Sequence, residues 1–411
     1  MANSLTVVDM VAAEALKVAH EKATFISTID RQFDDSFNAT HAGGNKNGAT
    51  LRVRNPNMYT RRAGSRVMDV QDQAETTQTI TVATQDGVDM RFNSAELSQS
   101  IDYIRERYIE PAVSSLVSAI DADMITQFTK DVYNTVGSAG TVVGSSSGDL
   151  TALFNARAKL NQGLAPKDKN RAVQLDSITM AAIVNGNKAI FNPTSAVSEA
   201  FTEGFYARSA MADFYENERT WTLTNSDDVT ADTDAAALVT DGGSTIDMHT
   251  LLPVAKQSVG QVFTISGVKA CHPETKAAYS HDQQFVITAV GATTTTVSPA
   301  FYLTGPRQNV CSSTGAQLAT TDFNAKTLTF WGSASGSYRQ NIMYHKNAFA
   351  FVTAELPLMD DAAKCVRMTK DGLSLRVWQA SDIRNDELLM RIDILYGGKT
   401  LRPEWACRIS N

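Results

Sequence analysis

The last quarter of the chain constrains its fold most tightly, because apolar residues recur at every second position in two segments there. The apolar residues of the first segment are Leu373, Leu375 and Val377. Those of the second segment are Ile392, Ile394 and Tyr396. An alternation of period two predicts β-strands with one buried face. The pair Gly397-Gly398 is expected to end the second strand, and Pro403 to prevent its continuation.

The composition is that of a globular protein and argues against one class of function. Of 411 residues, 43% are hydrophobic and 20% are charged, so the length allows roughly two or three core-bearing units. Lys and Arg number 37 against 44 Asp and Glu, which gives a net charge of -7. Since a protein that neutralises phosphates needs a cationic excess, tight binding of nucleic acid is not expected.

The cysteines and the N-terminus favour a cytoplasmic setting. The four cysteines are far apart and form no CxxC pair, which predicts reduced thiols rather than a disulfide framework. No apolar h-region follows an early positive charge, so we expect no signal peptide. No apolar run approaches the roughly 20 residues of a membrane span.

Helical spacing appears mainly in the first half of the chain. Residues 5–19 predict a short amphipathic helix, and residues 94–131 predict the longest helix, with Ser94 as its N-cap and a kink at Pro111. A further helix is predicted near 149–162.

The amino-acid composition of the sequence changes near residue 221. Residues 171–220 predict mixed strand and helix. The segment from Trp221 to about Gly336 is instead rich in Thr, Ser, Ala and Gly, and it contains short β runs and no helical periodicity. This predicts an all-β domain inserted between two halves of a mixed body. Phe349 to Val352 then predict a buried strand.

Residues 49–92 predict a long hairpin-like excursion with segregated charge. Its outgoing half contains basic residues and no acid, and its returning half, 67–90, contains acidic residues and no base. A thin projection cannot bury its own core and needs a neighbour, and opposite charges on its halves would fix its register there. A solvated basic turn is the alternative. The candidate inter-subunit contact residues are Arg52, Arg54, Arg61, Arg62, Arg66, Asp69, Asp72 and Glu75.

One segment fits a catalytic motif. Residues 144–148, Gly-Ser-Ser-Ser-Gly, match the G-x-S-x-G nucleophile elbow, with a predicted short strand at Thr141–Val143 before it and a helix after it. The serine would need a base, and His249 lies inside the β segment. A Gly/Ser linker matches this motif easily by chance, so a serine hydrolase using Ser146 is kept only as an alternative.

No metal or cofactor site is expected. Metal-ligating residue types lie near one another in the β segment, but their irregular gaps do not match a structural zinc site and favour a polar loop between strands: Cys271, His272, His281 and Cys311. Asp121 and Asp123 are two residues apart on a predicted helix and therefore do not share a face. The sequence contains no Walker A loop and no dinucleotide fingerprint.

Three short blocks, taken with the order of the predicted elements, resemble a known family. They are residues 209–215 (SAMADFY) leading to 222–224 (TLT); 262–270 (VFTISGVKA) with 272–275 (HPET) and 283–289 (QQFVITA); and Tyr396-Gly397 with 402–404 (RPE). The chain resembles the major capsid (coat) proteins of tailed bacteriophages, and more narrowly the branch typified by short-tailed Salmonella phages, whose coat protein has an inserted β domain. The likeness covers nearly the whole chain in architecture and only these blocks in sequence.

The resemblance implies an α+β architecture, the Hong Kong phage capsid fold with an inserted all-β domain. Its parts would be an N-terminal arm or helix (1–39), an extended loop (40–92), a peripheral domain with the spine helix (93–135), the first part of an axial domain (136–220), the inserted β domain (221–336), and the second part of the axial and peripheral domains (337–411).

The resemblance also implies a structural protein without catalysis or cofactor. It would self-assemble into hexamers and pentamers of an icosahedral head enclosing double-stranded DNA, with a scaffolding protein and a portal protein as partners, weak non-specific contact with the DNA, and no membrane. Assembly would take place in the host bacterial cytoplasm. Some relatives cross-link through an extended-loop lysine. Because Leu51 to Arg91 contain none, we expect a non-covalent shell. A decoration or adhesin module displaying the β domain is a further alternative.

Overall fold

The structure, a computed structural model, describes most of the chain. The described residues are 23–33, 50–61, 64, 68, 70, 75–93, 110–145, 150–186, 208–209, 211–226, 230–233, 237–248, 252–253, 256–358, 364–370 and 373–411. The predicted helix at 5–19 and the first part of the predicted helix at 94–131, including Ser94, lie outside these residues.

The described residues form α-helices α1 (Glu110–Asp131), α2 (Thr151–Gln162) and α3 (Ser177–Gly186). The strands are β1 (Thr50–Arg54), β2 (Thr77–Thr81), β3 (Thr84–Asn93), β4 (Thr135–Val136), β5 (Arg171–Leu175), β6 (Arg208–Ser209), β7 (Ala212–Glu216), β8 (Trp221–Thr224), β9 (Thr230–Asp232), β10 (Gly243–Ile246), β11 (Val262–Cys271), β12 (Ala278–Val290), β13 (Thr295–Phe301), β14 (Val310–Cys311), β15 (Thr327–Phe330), β16 (Ser337–His345), β17 (Phe349–Ala354), β18 (Lys364–Lys370), β19 (Leu373–Asp382), β20 (Glu387–Thr400) and β21 (Ala406–Ser410).

The chain divides into two compact units, each assembled from segments that are distant in sequence. The first contains Met1–Arg54, Thr77–Met124 and Phe349–Leu401, and the second contains Asn55–Thr76, Ile125–Ala348 and Arg402–Asn411.

The first unit is built on an antiparallel sheet in the order β17-β20-β19-β18, with β3 also paired to β20. The two alternating C-terminal segments are β19 and β20. Leu375 lies opposite Ile394 and Val377 lies opposite Ile392, and all four side chains are buried. The two predicted strands are therefore confirmed, but they are not half-buried here, because Ser374, Arg376 and Asp393 on the alternate positions are buried too. The buried strand predicted at Phe349–Val352 is confirmed as part of β17.

The prediction that Gly397-Gly398 ends its strand is wrong. Strand β20 continues through both glycines to Thr400, and Gly397 pairs with Val352 of β17. A Cβ atom at Gly397 would overlap the carbonyl oxygen of Thr81. The glycine is therefore required for the close approach of β2 and not for a stop. The strand ends before Pro403, which begins a single 3-10 turn.

The second unit contains a mixed sheet in the order β4-β21-β16-β5-β7-β6, with β8 also paired to β16. The pairs β21–β4 and β5–β7 are parallel. Helices α2 and α3 contribute buried residues to one apolar cluster with this sheet, in which Leu160 and Ile183 join Val173, Met343 and Ile409. The predicted helix near 149–162 is α2, and the predicted mixture over 171–220 is confirmed.

A separate antiparallel sheet in the second unit has the order β10-β13-β12-β11-β15-β9, with β14 paired to β11. The predicted short β runs are confirmed as β11, β12 and β13. Its core is aromatic, with Phe263 stacked on Phe285 at 5.8 Å and Phe285 packed on Phe301 at 4.8 Å between ring centroids. Strand β8, which begins at the predicted boundary Trp221, instead pairs with β16.

The predicted strand at Thr141–Val143 is wrong. The Ser145 N–H donates to the Val142 carbonyl at 3.1 Å, and Gly144 has a φ of 84°, so these residues form a turn. A Cβ atom at Gly144 would lie 2.7 Å from the Ile183 Cα. The glycine therefore lets the turn pack against α3.

Candidate interaction surfaces

The hairpin base of the predicted excursion presents its arginines to solvent. Strands β1 and β2 pair antiparallel, with Leu51 opposite Ile80. Arg52 and Arg54 are exposed, whereas Leu51 and Val53 on the alternate positions are half-buried. The predicted alternation of the outgoing strand is confirmed, and it brings two of the candidate arginines onto one exposed face.

The segment that connects the two strands is held at its base. The Asn55 N–H donates to the Thr76 carbonyl at 2.9 Å, and the Arg307 guanidinium donates to the Thr76 hydroxyl at 2.9 Å. Arg61 and Glu75 are exposed within this segment. The other four candidates, Arg62, Arg66, Asp69 and Asp72, lie outside the described residues.

The same segment contains exposed apolar residues that sequence reasoning missed. Met58 is 52% exposed, Tyr59 58%, Met68 81% and Val70 76%. They are four of the twelve large hydrophobic residues found exposed among those the structure describes. Their concentration in one stretch is typical of an interaction surface. The signal in the sequence was apolar residues interspersed in a stretch otherwise rich in Arg, Asn, Asp and Gln.

An ionic network fixes the returning strand β3 to the sheet of the first unit. The Arg376 guanidinium donates to the buried Asp393 carboxylate at 2.6 Å, and Arg391 contacts the same carboxylate at 2.7 Å. Arg391 also lies 3.4 Å from Asp89 of β3. The hydrogen bond to Asp393 raises the pKa of Arg391. Gly87, opposite Asp393 in the ladder, leaves room for that carboxylate.

A buried tyrosine ties three elements of the first unit together. The Tyr396 hydroxyl on β20 donates to Asp86 of β3 at 2.7 Å and lies 3.4 Å from the Asp123 carboxylate of α1. Burial, followed by the two carboxylates, raises the pKa of Tyr396. Asp121 faces other groups and accepts the backbone N–H of Phe25 at 2.9 Å. The two helix carboxylates therefore bind different partners, in keeping with their spacing.

Buried polar groups join the two sheets of the second unit. The backbone of Thr135 and the side-chain amide of Gln284 exchange two hydrogen bonds of 3.0 Å. The Arg408 guanidinium donates to the carbonyls of Gly260 at 2.6 Å and Lys130 at 3.0 Å. Burial lowers the pKa of Arg408 to about 9, and the carbonyl acceptors compensate in part for its desolvation.

The Cys and His residues of the β segment have structural partners. The His272 Nδ1 accepts the backbone N–H groups of Glu274 and Thr275 at 3.1 and 3.2 Å, which closes a turn. His281 stacks on Tyr279 at 5.4 Å, and burial lowers the pKa of His281 to about 4. Within the described ranges, no three His, Cys, Asp or Glu residues are placed to hold a metal ion.

Ser146 and His249, the candidate nucleophile and base of the hydrolase alternative, lie outside the described residues. Across the part of the chain that the structure describes, no helix is long and apolar enough to cross a membrane.

The chain is similar to known proteins in sequence over part of its length and in fold over most of it. Residues 218–408 match the family model described as P22 coat protein, gene protein 5. The fold is similar to a solved structure from Mycobacterium phage Che8, with 11% identity, a TM-score of 0.50, and 94% of this chain and 90% of that chain covered. Among curated proteins, none matches this sequence significantly.

Two further solved structures match over most of their length. The capsid of Ralstonia phage GP4 has 6% identity and a TM-score of 0.46, with 93% of this chain and 92% of that chain covered. The capsid of cyanophage P-SCSP1u has 12% identity and a TM-score of 0.45, with 93% and 88% covered.

Proposed function

We propose that this chain is a tailed-phage major capsid protein, the subunit of an icosahedral head, and that it assembles there into hexamers and pentamers around double-stranded DNA. The observation that carries the proposal is the coat-protein match over residues 218–408 in a chain whose fold is similar to a solved structure from Mycobacterium phage Che8. Electron microscopy of the purified chain, alone and with its scaffolding protein, tests it. Closed shells or capsomers are expected, and a persistent monomer would contradict the proposal.

The fold supports an assignment of the parts. The first unit's sheet with α1 corresponds to the peripheral domain, and the mixed sheet of the second unit to the axial domain. The antiparallel sheet from β9 to β15 corresponds to the inserted domain. Residues 1–39 form the arm and residues 40–92 the extended loop in this assignment.

The segment from β1 to β2 is the contact we assign between subunits. It combines the exposed face of Arg52 and Arg54 with exposed apolar residues such as Met58 and Tyr59. Apolar area supplies affinity and the charges supply register on the neighbour. The contact is heterologous, so closure comes from the lattice. Arg61, Arg62 and Arg66 would face the neighbour with Asp69, Asp72 and Glu75.

Reversing two of these charges tests the assignment. Arg61→Glu with Arg62→Glu is expected to lower the yield of assembled particles by about tenfold, because like-charge contacts repeat at every subunit. The thermal unfolding midpoint of the unassembled chain should not change, since Arg61 is exposed. Unaltered assembly would remove this segment from the interface.

The shell is held without covalent bonds in this proposal. Residues 51–91 contain no lysine, and the one lysine of the assigned loop 40–92 is Lys46, which precedes β1. An amide cross-link from residues 51–91 therefore lacks its amine. Mature particles should therefore run as monomers on denaturing gels, and a ladder of covalent multimers would contradict this. Assembly in the host cytoplasm with scaffolding and portal proteins, and weak non-specific contact with the DNA, complete the proposal.

The role is structural, and no catalytic step is assigned. Among the described residues, the polar clusters are engaged in turns, ion pairs and hydrogen bonds that hold the fold. A fluorophosphonate probe for activated serines should leave the chain unlabelled. Labelling at Ser146 would revive the hydrolase alternative.

A further inference from the structure

Two cysteines of the antiparallel sheet in the second unit meet where β11 pairs with β14. In this antiparallel pair Lys269 lies opposite Cys311, and the Cys271 N–H donates to the Asn309 carbonyl at 3.1 Å. Because side chains alternate between the two faces of a strand, Cys271 lies on the same face as Cys311, at the diagonal position. Both side chains are buried, and neither cysteine is in a disulfide.

The two thiol groups contact each other. A side-chain hydrogen bond joins Cys271 to Cys311. The Cys311 Sγ also lies 3.8 Å from the Lys269 carbonyl oxygen and 3.9 Å from the Ala270 carbonyl oxygen. Since Ala270 immediately precedes Cys271, the Cys311 sulfur lies over the β11 backbone on the side toward Cys271. The sulfur atoms therefore start from contact, and a bond of about 2.05 Å between them requires a short approach of the two side chains.

A lysine holds the two cysteine-bearing segments together. The Lys276 ammonium group donates to the Pro273 carbonyl in the turn that follows β11. It also donates to the carbonyls of Pro306 and Gln308 in the loop that precedes β14. The two segments are thus fixed to each other by bonds that do not involve the thiols, which lowers the entropic cost of bringing the sulfur atoms together.

The other two cysteines of the chain have different neighbours. Cys365 on β18 lies opposite Trp378, and Cys407 on β21 lies opposite Met343. The Cys407 Sγ contacts the carbonyl oxygen of Arg408 at 3.5 Å. Cys365 and Cys407 therefore serve as internal controls for the chemistry of the Cys271–Cys311 pair.

The surroundings of the pair favour thiols in a reducing medium. Burial, followed by the hydrogen bond to Cys311, raises the pKa of Cys271, and the charge of Lys276 offsets part of this rise. Thiolate is therefore scarce at neutral pH, and the pair should react slowly there and faster as the pH rises. Cys271 is 6% exposed and Cys311 0%, so Cys271 is the cysteine that an external reagent reaches first.

We propose that Cys271 and Cys311 are a modification site, at which an external low-molecular-weight disulfide converts the two thiols into a reversible disulfide bond. The Cys271 thiolate attacks one sulfur of the reagent, which releases one thiolate and leaves a mixed disulfide on Cys271. The Cys311 thiolate then attacks the Cys271 sulfur, and the second reagent thiolate leaves. The two cysteines lose two electrons and two protons, and the reagent is reduced to two thiols.

The bond joins β14 to β11 covalently. It closes a loop of roughly 40 residues and so restricts the unfolded chain, which makes the folded sheet more stable in the oxidised form. Thiols stay reduced in cytosol and oxidise outside it, so in the proposed function the bond would form after particles leave the host. The bond itself does not depend on that function. If it forms in a chain that never assembles shells, the proposed function fails and the inference stands.

Incubation of the folded, unassembled chain with hydroxyethyl disulfide tests the inference. The chain is then unfolded in N-ethylmaleimide, which labels every free thiol. We expect two of the four cysteines to be protected, a tryptic map to link the peptides of Cys271 and Cys311, and dithiothreitol to restore all four thiols. The rate of closure should rise by about tenfold per pH unit between about pH 7 and 9, as the thiolate fraction increases.

Two variants sharpen the test. Cys311→Ala should stop at the mixed disulfide on Cys271, because no second thiol displaces the reagent. Cys365→Ser is the matched control and should form the bond as the wild type does. Oxidation should raise the thermal unfolding midpoint of the wild type by at least about 3 °C and leave that of Cys311→Ala unchanged.

Several results would overturn the inference. Four free thiols after prolonged incubation, a lasting mixed disulfide on Cys271 of the wild type, or a cross-link through Cys365 or Cys407 would each do so. A linked pair with an unchanged midpoint would contradict the stabilising role of the bond. If Cys311→Ala does not fold, the peptide map of the wild type decides the question alone.

Discussion

At the scale of single residues, the fold depends on polar groups buried with matched partners. Tyr396 is the clearest case, since one hydroxyl serves carboxylates on both β3 and α1. Its aromatic ring belongs to an alternating pattern that was visible in the sequence. The two carboxylates, 310 and 273 residues away, were not predictable as its partners, because local patterns do not encode long-range pairing.

Replacing Tyr396 with Phe keeps the ring and removes the hydroxyl donor. The Asp86 and Asp123 carboxylates then lose a shared partner, so the free energy of unfolding should fall by about 1–2 kcal/mol. The urea unfolding midpoint measures this. Tyr302→Phe is the control, because among the described residues the Tyr302 hydroxyl has no hydrogen-bond partner, and Arg307 stacks on the ring, which Phe retains. Equal effects of the two changes would contradict the role of the hydroxyl.

His281 gives a prediction for pH. Its pKa falls from 6.5 to about 4 on folding, so the unfolded chain takes up its proton first as the pH drops. Stability from this group is therefore lost between pH 6.5 and about 4. The ring proton signals of His281 in an NMR titration should move with a midpoint well below 6. A midpoint near the ordinary value would show that the ring is not buried as described.

At the scale of elements, the periodicity of apolar residues predicted strands and helices correctly, whereas the connections between these elements were not predicted correctly. The alternation in β19 and β20 and the helical spacing of α2 were visible in the sequence. Gly397 was misread as a stop because its reason, the nearby backbone of β2, comes from a strand more than 300 residues earlier. The exposed Met58 and Tyr59 escaped notice since apolar residues in a loop carry no periodic signal.

Arg408 on β21 binds backbone carbonyls of α1 and of the residue pair before β11, and no local sequence pattern connects these segments. Arg408→Met should lower the free energy of unfolding by at least about 2 kcal/mol, because the buried carbonyls of Gly260 and Lys130 lose their donor. Chemical denaturation followed by tryptophan fluorescence measures this, since Trp221 lies 5.5 Å from the guanidinium. The exposed Arg384→Met is the control, with an expected change within about 0.5 kcal/mol. A similar loss of unfolding free energy in both variants would argue against this role of Arg408.

The exposed apolar residues of the β1–β2 connection predict an effect on assembly alone. Met58→Ser with Tyr59→Ser should reduce assembled particles by about tenfold, because apolar area is lost at every repeated contact. The unfolding midpoint of the unassembled chain should stay unchanged. Phe154→Ser, at an exposed position on α2, tests whether any exposed apolar residue has this effect. Loss of assembly in that control alone would move the interface to α2.

At the scale of the whole molecule, the order of the elements was more informative than any motif. No single block was specific, yet the order of a predicted excursion, a long helix, an inserted β segment and two terminal strands resembled the architecture of tailed-phage coat proteins. The segregation of charge over residues 49–90 was visible in the sequence. The exposure of Met58 and Tyr59 is apparent only in the folded chain.

The central claim is that this chain leaves the segment between β1 and β2 to be covered by a neighbouring copy. A cryo-EM reconstruction of shells assembled from the purified chain and its scaffolding protein tests this most directly. We expect density for residues 50–81 to cross onto the adjacent subunit, with Met58 and Tyr59 buried there. Closed shells in which that segment folds back on its own subunit, or a chain that never forms shells, would contradict the account.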